Sequence, residues 1–442
     1  MPNIVRYTDC MTRKLTFIHA ADIHMGAPVR GFADLTPEWE AKLIESIPTA
    51  YDRVISAALS RNVDFVIIAG DMFDTAHASY GDYLRFIDGL NRLDSAGIPS
   101  YLIAGNHDPF VVWSESLEFL PPSVHFIGGE APEFALFERD GAPLCLIGAR
   151  GYHNQAWPLE EPIADGIDRD AAVEALRLTR PDVQDAPFMV GIIHTGLDLD
   201  QSKAYSNPEK LMRSDVDYWA CGHLHKRLVL PSESHPRIVF PGCIQGRDLK
   251  ESESRGCYCV TIEEQQGSLK PSIALEFLPT ASVVFHTIKV DVSSCKTLAD
   301  AGQLLQSNLF HENGHDHCEN MVVRIILEGK TDLHEYLVQP HVLDDMRKRL
   351  NDAYPTFYCD ALIARTAPQR DLELAKREGL FASHILSVAN RQRSDEDATI
   401  NYIQSEFVKR GIAVPASLPR RISDFNDVAE TLVMDLLEKE SE

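Results

Sequence analysis

From residue 14 onward, short apolar runs alternate with amphipathic stretches. LTFIHA (15–20), DFVIIA (64–69) and SYLIA (100–104) are β-rich apolar runs and are predicted to be strands. Residues 38–60, with Leu43, Ile47, Val54 and Ala58 at helical spacing, and 79–96 are predicted to be helices. Strand–helix–strand–helix–strand implies parallel strands joined by crossover helices, in a sheet buried on both faces. After residue 120 the elements shorten: VHFI, FALF, PLCLIGA, FMVGIIH, VDYWACG, RLVL, RIVF and CYCVTI follow, with a helix near 169–179. This mostly β second half fits a two-layered sheet arrangement better than a simple doubly wound fold.

The texture changes at LPTASVV (278–284). Beyond it the pattern predicts a helix (296–308), a strand (MVVRIIL, 321–327), a helix (340–350) and a strand (TFYCDALIA, 356–364), a compact α+β module. Helical patterns then dominate at 379–390, 396–410 and 424–440, with Pro415 and Pro419 marking a break. The expected organisation is a flexible leader at 1–13, an α/β main domain at 14–280, an α+β domain at 281–370 and a helical C-terminal region at 371–442.

Composition narrows the class. The 442 residues are 44% hydrophobic and 24% charged, enough to bury a sizeable core. No apolar run is long enough to cross a membrane. The leader lacks the apolar stretch of a secretory signal, and Met11 is an alternative start. Nine cysteines without framework spacing suggest reduced thiols and a cytoplasmic location. The charge is less expected: 42 Lys+Arg against 66 Asp+Glu give −24. A protein that grips nucleic acid through phosphates usually presents a basic surface. A polyanionic substrate must therefore be held by bound cations or a local basic strip, or the substrate is small.

The chemistry lies where the strands end. LTFIHA runs into ADIHMG, which places Asp22 and His24 two apart in extended chain, on one side. DFVIIA runs into GDMFD and presents Asp71, and SYLIA runs into AGNHDP and presents Asn106 and His107. FMVGII ends in His194, and VDYWAC ends in GHLH with His223 and His225. In open α/β sheets, ligands bind beyond the carboxyl ends of the strands. Two Asp, one Asn and four His are too many donors for one ion. They suit two divalent cations roughly 3.5–4 Å apart, with Asp71 as the bridge and in-line attack on phosphorus as the reaction. Mixed imidazole and carboxylate donors favour Mn, Fe or Zn over Mg. His107 is the candidate general acid, or the stabiliser of charge on phosphorus. Asp108 is expected to hold the other nitrogen of the His107 ring. The glycines before Asp71, Asn106 and His223 allow tight turns there.

The ordered set D-x-H, GD, GNHD, H and GHLH resembles the calcineurin-like metallophosphoesterases over about residues 15–245. HAADIHMG, AGDMFDT, LIAGNHDP and FPGCIQGRDLKE are most similar to the SbcD/YhaO group of DNA repair exonucleases. The resemblance implies a four-layer αββα sandwich, with the smaller α+β domain as a cap helping to shape the DNA path. It also implies one ion on Asp22, His24, Asp71 and His225, and a second on Asp71, Asn106, His194 and His223. His107 would be the catalytic imidazole and Mn2+ the activator, with Fe2+ or Zn2+ as alternatives. The implied activity is exonuclease or endonuclease cleavage of DNA. The implied assembly is a homodimer with an SbcC/YhaN-like coiled-coil ATPase docked on the tail beyond about residue 379. Two other readings compete: a phosphoesterase of this fold acting on a small phosphomonoester or cyclic nucleotide, and a non-catalytic scaffold, which the seven filled ligand positions oppose.

Other features favour plainer roles. HENGHDHCE (311–319) could hold an auxiliary metal but is expected to be a polar loop. Phe110 and Trp113 could stack on a base but are expected to pack their loop against the following helix. Lys203, Lys226, Arg227, Arg247 and Lys250 could line a groove, although scattered surface cations are more often solvated.

Overall fold

The computed structural model describes residues 13–414, apart from 33–34, 114–116, 159, 201, 266, 317–318 and 370–379; beyond 414 it describes residue 429 alone. The leader up to residue 12, the expected helix at 424–440 and Pro415 and Pro419 lie outside the described residues.

Backbone packing divides the chain into two compact units. One comprises Met1–Ile288, Ser307–Ile325 and Arg347–Ala361; the other comprises Lys289–Gln306, Ile326–Met346 and Leu362–Glu442. The first holds two six-stranded sheets. Its strands are β1 (Lys14–Ala20), β2 (Phe65–Ala69), β3 (Ser100–Ile103), β4 (Val124–Phe126), β5 (Glu133–Arg139) and β6 (Ala142–Arg150). β7 (Phe188–His194), β8 (Tyr218–Gly222), β9 (Leu228–Ser232), β10 (His235–Phe240), β11 (Gly256–Glu263) and β12 (Ser272–Pro279) complete them. One sheet has the order β12-β11-β1-β2-β3-β4 and the other β5-β6-β7-β8-β10-β9. β1 to β4 run parallel to one another, and so do β6, β7, β8 and β10, while β11, β5 and β9 pair antiparallel with β1, β6 and β10.

Side-chain alternation along the strands builds the layers. In β1 and β2, Leu15, Phe17, Phe65 and Ile67 point toward the second sheet, where they pack with Ile147, Val190, Ile192 and Tyr218. The alternate residues Ile18, Val66 and Ile68 face the helices α1 (Ser46–Arg61) and α2 (Tyr80–Ser95), meeting Val54, Ile55, Phe86 and Leu90. On the far side of the second sheet, Met189, Trp219 and Ile238 pack with Ala172 and Leu211 from two short helices. This is the helix–sheet–sheet–helix sandwich. Three further strands, Val283–Asp291, Asn320–Thr331 and Phe357–Pro368, form a third sheet in that order. The second unit includes the helices Leu380–Ser394 and Glu396–Lys409.

Several elements differ from the expected boundaries. The helix expected at 38–60 is two helices, Pro37–Ile44 and Ser46–Arg61. Pro48 has no N–H and its ring would clash with the carbonyl of Ile44, so a continuous helix cannot form there. The strands Ser272–Pro279 and Val283–Asp291 occupy a stretch expected to be a boundary. β12 pairs along its whole length with β11, yet lies at the edge with alternate residues exposed, which breaks up its apolar signal. The expected loop at 311–319 is largely helical, because the helix beginning at Leu298 runs on to Asp316. Trp113 is buried against Phe73, Phe86 and Phe126, and Phe110 lies against Phe126 and His153. Both therefore pack the loop. Cys257 and Cys259 are buried free thiols in β11.

Candidate metal centre

The carboxyl ends of β1, β2, β3, β7 and β8 converge. Beyond the ends of the strands the backbone still pairs across the loops: Asp22 N donates to Gly70 O (3.1 Å) and His24 N to Asp71 O (2.9 Å). The D-x-H segment is not extended, as the sequence suggested. Asp22 and His24 both lie in the left-handed region (φ 52° and 51°), as do Asp71 (53°) and His223 (102°). That conformation costs an L-residue about 1–2 kcal/mol. Strain of this kind persists where surrounding structure enforces it, characteristically at functional sites. Two glycines make room for the arrangement. A Cβ on Gly70 would lie 2.4 Å from His194 Nδ1, and one on Gly105 would lie 2.0 Å from Asp71 Oδ1.

The donors gather around Asp71. Its Oδ1 accepts the backbone N–H of His107 (2.8 Å). Its Oδ2 faces His24 Nε2 at 3.7 Å and His194 Nε2 at 3.4 Å. Three groups of side chains bring donor atoms within 4.8 Å of one another: Asp22, His24 and His225; His24, Asp71 and His107; and Asp71, His194 and His223. Asn106 adds its Oδ1, 3.2 Å from His223 Nδ1. The structure thus gathers all seven expected ligand residues and His107. The His107 ring stands edge-on to His24 with centroids 4.9 Å apart, and it alone among these groups is exposed.

Asp108 corrects an expectation. Its Oδ2 accepts the N–H groups of Met72 (2.9 Å) and Phe73 (3.2 Å), and its Oδ1 accepts that of Gly105 (3.0 Å). The buried carboxyl is spent on three backbone donors and does not hold the His107 ring. Asp108 is a clamp that fastens the AGNHDP turn to the GDMFD turn, and a structural role replaces the catalytic one expected for it.

The electrostatics call for positive charge at the centre. Burial pushes the Asp22 carboxyl up. Burial also works to raise Asp71, but His194 and His24 beside it hold it well below the usual carboxylate range. Burial disfavours a charged His194, yet Asp71 and Asp22 overcome this and raise it to about 9. Burial, chiefly, depresses His24, and with His194 nearby lowers His223 to about 4. Asp108 is raised to about 8, by burial first and by Asp71 second. Two carboxylates, each 1% exposed, thus sit beside His24 and His223, which burial keeps from taking a proton, and beside His194, which they draw toward the charged form. His24 Nε2 and His225 Nε2 face each other at 3.0 Å, and His194 Nε2 makes no hydrogen bond. Cations among these lone pairs resolve the conflict, so the residues fit a divalent pair, and the imidazole–carboxylate mixture suits transition metals.

An outer layer of carboxylates surrounds the donors, and the sequence reading assigned it no role. Glu251 Oε1 lies 2.6 Å from His225 Nδ1, and Asp200 Oδ2 lies 3.1 Å from His223 Nε2. Arg247 binds Glu251 and is mostly buried, and Arg255 donates to the carbonyl of His225. Arg247 is therefore engaged within the site. Arg227 lies over the Phe277 ring at 4.0 Å. The one available signal was that Glu251 ends the stretch FPGCIQGRDLKE.

Residues 15–227 match the family of calcineurin-like phosphoesterases, and residues 285–367 match the middle domain of the metallophosphoesterase YhaO. The YhaO protein of Bacillus subtilis is 32% identical over 324 residues, covering 72% of this chain and 73% of that protein. The chain belongs to the calcineurin-like metallophosphoesterase family. A metallophosphoesterase is a metal-dependent hydrolase of phosphoesters, and the donor set above is of the kind such an enzyme needs. Two further relatives of this metallophosphoesterase have DNA-related names. The DNA double-strand break repair protein Mre11 of Aeropyrum pernix is 27% identical over 54% of this chain and 56% of its own length. The SbcD component of the nuclease SbcCD of Escherichia coli is 32% identical over 30% of this chain and 32% of its own length. Among the described residues no helix is long and apolar enough to cross a membrane.

Proposed function

We propose that this metallophosphoesterase is a two-metal nuclease that hydrolyses DNA phosphodiester bonds. The observation that carries the reading is the single oxygen of Asp71 that faces His24 on one side and His194 on the other. Asp22, His24, Asp71 and His225 would hold one divalent ion, and Asp71, Asn106, His194 and His223 the second, with Mn2+ as the natural occupant. Such a pair supplies a nucleophile at neutral pH and neutralises phosphate charge. His107 does the remaining work: its backbone is fixed by Asp71 and by Thr75 Oγ1, which donates to the His107 carbonyl (2.7 Å). Its exposed ring is free to meet a phosphate and to protonate the leaving oxygen, a role worth about 10²–10⁴ in rate.

The names of the Mre11 and SbcD relatives support DNA as the substrate. In this reading residues 14–280 carry the chemistry, 281–370 form the cap, and 371–442 dock a coiled-coil ATPase of the SbcC/YhaN kind. The working form is a cytoplasmic homodimer. The net charge of −24 favours a second reading, a phosphoesterase for a small monoester or cyclic nucleotide.

One assay separates them. The protein and its His107→Ala variant are incubated in Mn2+ with end-labelled linear duplex, single-stranded DNA and a small nitrophenyl diester. The nuclease reading expects DNA cleavage that falls at least a hundredfold in the variant. Turnover of the small diester with intact DNA, in the presence and absence of the ATPase partner, refutes it.

A further inference from the structure

The ring of His225 has two neighbours at Nδ1: Glu251 Oε1 at 2.6 Å and Arg247 Nη2 at 3.0 Å. The two ask for opposite protonation, since Glu251 can only accept and Arg247 can only donate, and the shorter contact decides because Arg247 has Glu251 as a second acceptor. A bare Nδ1 would set its lone pair against a carboxylate oxygen at 2.6 Å, which is repulsive. With the proton on Nδ1, that contact becomes a short charge-assisted hydrogen bond. Arg247, which can only donate, then spends Nη2 on Glu251 Oε1 (2.9 Å), while its backbone N–H holds Glu251 Oε2 (2.8 Å). The unprotonated nitrogen of His225 is therefore Nε2, the atom that faces His24 Nε2.

We infer that Glu251 is a positioning residue: held by Arg247, it locks His225 in the Nδ1–H tautomer and aims the Nε2 lone pair into the metal centre. The inference rests on the metal-centre reading above. Three features of the structure support it. Glu251 is half-buried, so the bond is shielded from competing water. The loop that carries Glu251 is itself fixed to His225, since Arg255 donates both to the carbonyl of Glu251 and to that of His225. The companion histidine, His223, has a carboxylate partner too, but Asp200 is longer (3.1 Å against 2.6 Å) and its side chain is 38% exposed against 14% for Glu251. The lock on His225 is thus the tighter of the two. Carboxylate partners of this kind fix ring orientation and raise ligand basicity, and losing one weakens metal binding by about ten- to a hundredfold.

The test uses the full-length protein with 15N-labelled histidine, together with Mn2+ binding by calorimetry. The metal-free wild type should give a His225 ring spectrum of the Nδ1–H tautomer. Glu251→Ala should shift it to a mixture and weaken Mn2+ binding at one site by about ten- to a hundredfold. Glu251→Gln, whose amide oxygen can still accept, should largely keep the tautomer and part of the affinity. If Glu251→Ala does not fold, Arg247→Met gives the same reading with a milder loss. An unchanged tautomer and Mn2+ affinity within twofold of wild type in a folded variant overturns the inference. A wild type that binds no Mn2+ refutes the metal-centre reading instead, while the tautomer measurement still decides the hydrogen-bond lock.

Discussion

The sharpest consequence of the packing around Asp71 concerns a methyl group. Gly105 lies against this carboxylate, and a Cβ there would meet Asp71 Oδ1 at 2.0 Å, Asp71 N at 2.3 Å and Asp71 Cγ at 2.7 Å. Gly105 is not among the positive-φ glycines, so alanine meets no backbone penalty and the effect is purely steric. The Asp71 side chain cannot withdraw, because Oδ1 holds the N–H of His107 at 2.8 Å and Oδ2 is packed against His24 and His194. Overpacking of this kind costs about 1–3 kcal/mol. Loss of the hydrogen bond from His107 N to an ionised group adds about 1.5–3 kcal/mol. A total of about 2.5–6 kcal/mol is a large share of the 5–15 kcal/mol that typically holds a domain together. Moving Asp71 also disturbs both expected ions at once, so Mn2+ binding should weaken by at least about a hundredfold, the upper range for an outer-layer change. The assay pairs thermal melting with Mn2+ calorimetry on Gly105→Ala and on Gly302→Ala. A Cβ on Gly302, inside a helix, meets nothing within 4 Å, so the same chemical change should stabilise by about 1 kcal/mol. A Gly105→Ala protein that melts like wild type and binds Mn2+ equally well would refute the claim that this backbone approach shapes the centre.

Two further outcomes follow from the same geometry. Chelation should lower the melting temperature, and Mn2+ at about a hundredfold above its dissociation constant should restore about 2.7 kcal/mol per site; a melting curve indifferent to both would contradict a buried metal centre. His19, buried with Nδ1 2.8 Å from Tyr218 Oη, is held near 3 chiefly by burial. Its folded-state pKa is depressed, so it is neutral in both states above about 6.5, and below that pH only the unfolded chain takes up the proton. Stability should therefore fall by about 1.4 kcal/mol per pH unit from about 6.5 toward 3 on this account. Melting curves between pH 7 and 5 should flatten in His19→Phe, whatever its absolute stability, and an equal slope would remove His19 as the cause.

Much of the site is legible in the sequence because its donors are delivered by strand ends, and strands announce themselves by apolar runs. Asp71, Asn106, His194 and His223 each follow or end such a run, and parallel topology then dictates that these ends share one edge. What was not legible depends on contacts between loops. Glu251 lies 26 residues beyond His225, in a turn with no periodicity. Asp200 lies in another such loop, 23 residues before His223. Asp108 departs from expectation for a related reason: adjacency to His107 suggests that they pair, whereas three backbone N–H groups converge on its carboxyl from residues 36, 35 and 3 positions away.

The negative charge of the chain is better understood once those loops are in place. The arginines nearest the centre do not offer themselves to a substrate: Arg247 and Arg255 are consumed in fixing Glu251 and His225. The side chains that surround the donors are acidic as well, with Asp200 and Glu251 behind the two histidines of GHLH. A centre built in this way repels an anion until cations occupy it, and the two divalent ions proposed here would add four positive charges where Asp22 and Asp71 supply two negative ones. On the proposed reading, attraction for a phosphodiester would then be concentrated at the point of reaction instead of along a groove. On the proposed nuclease reading, a chain of net charge −24 would act on a polyanion through its metal centre, and metal occupancy would decide whether the substrate is attracted or refused.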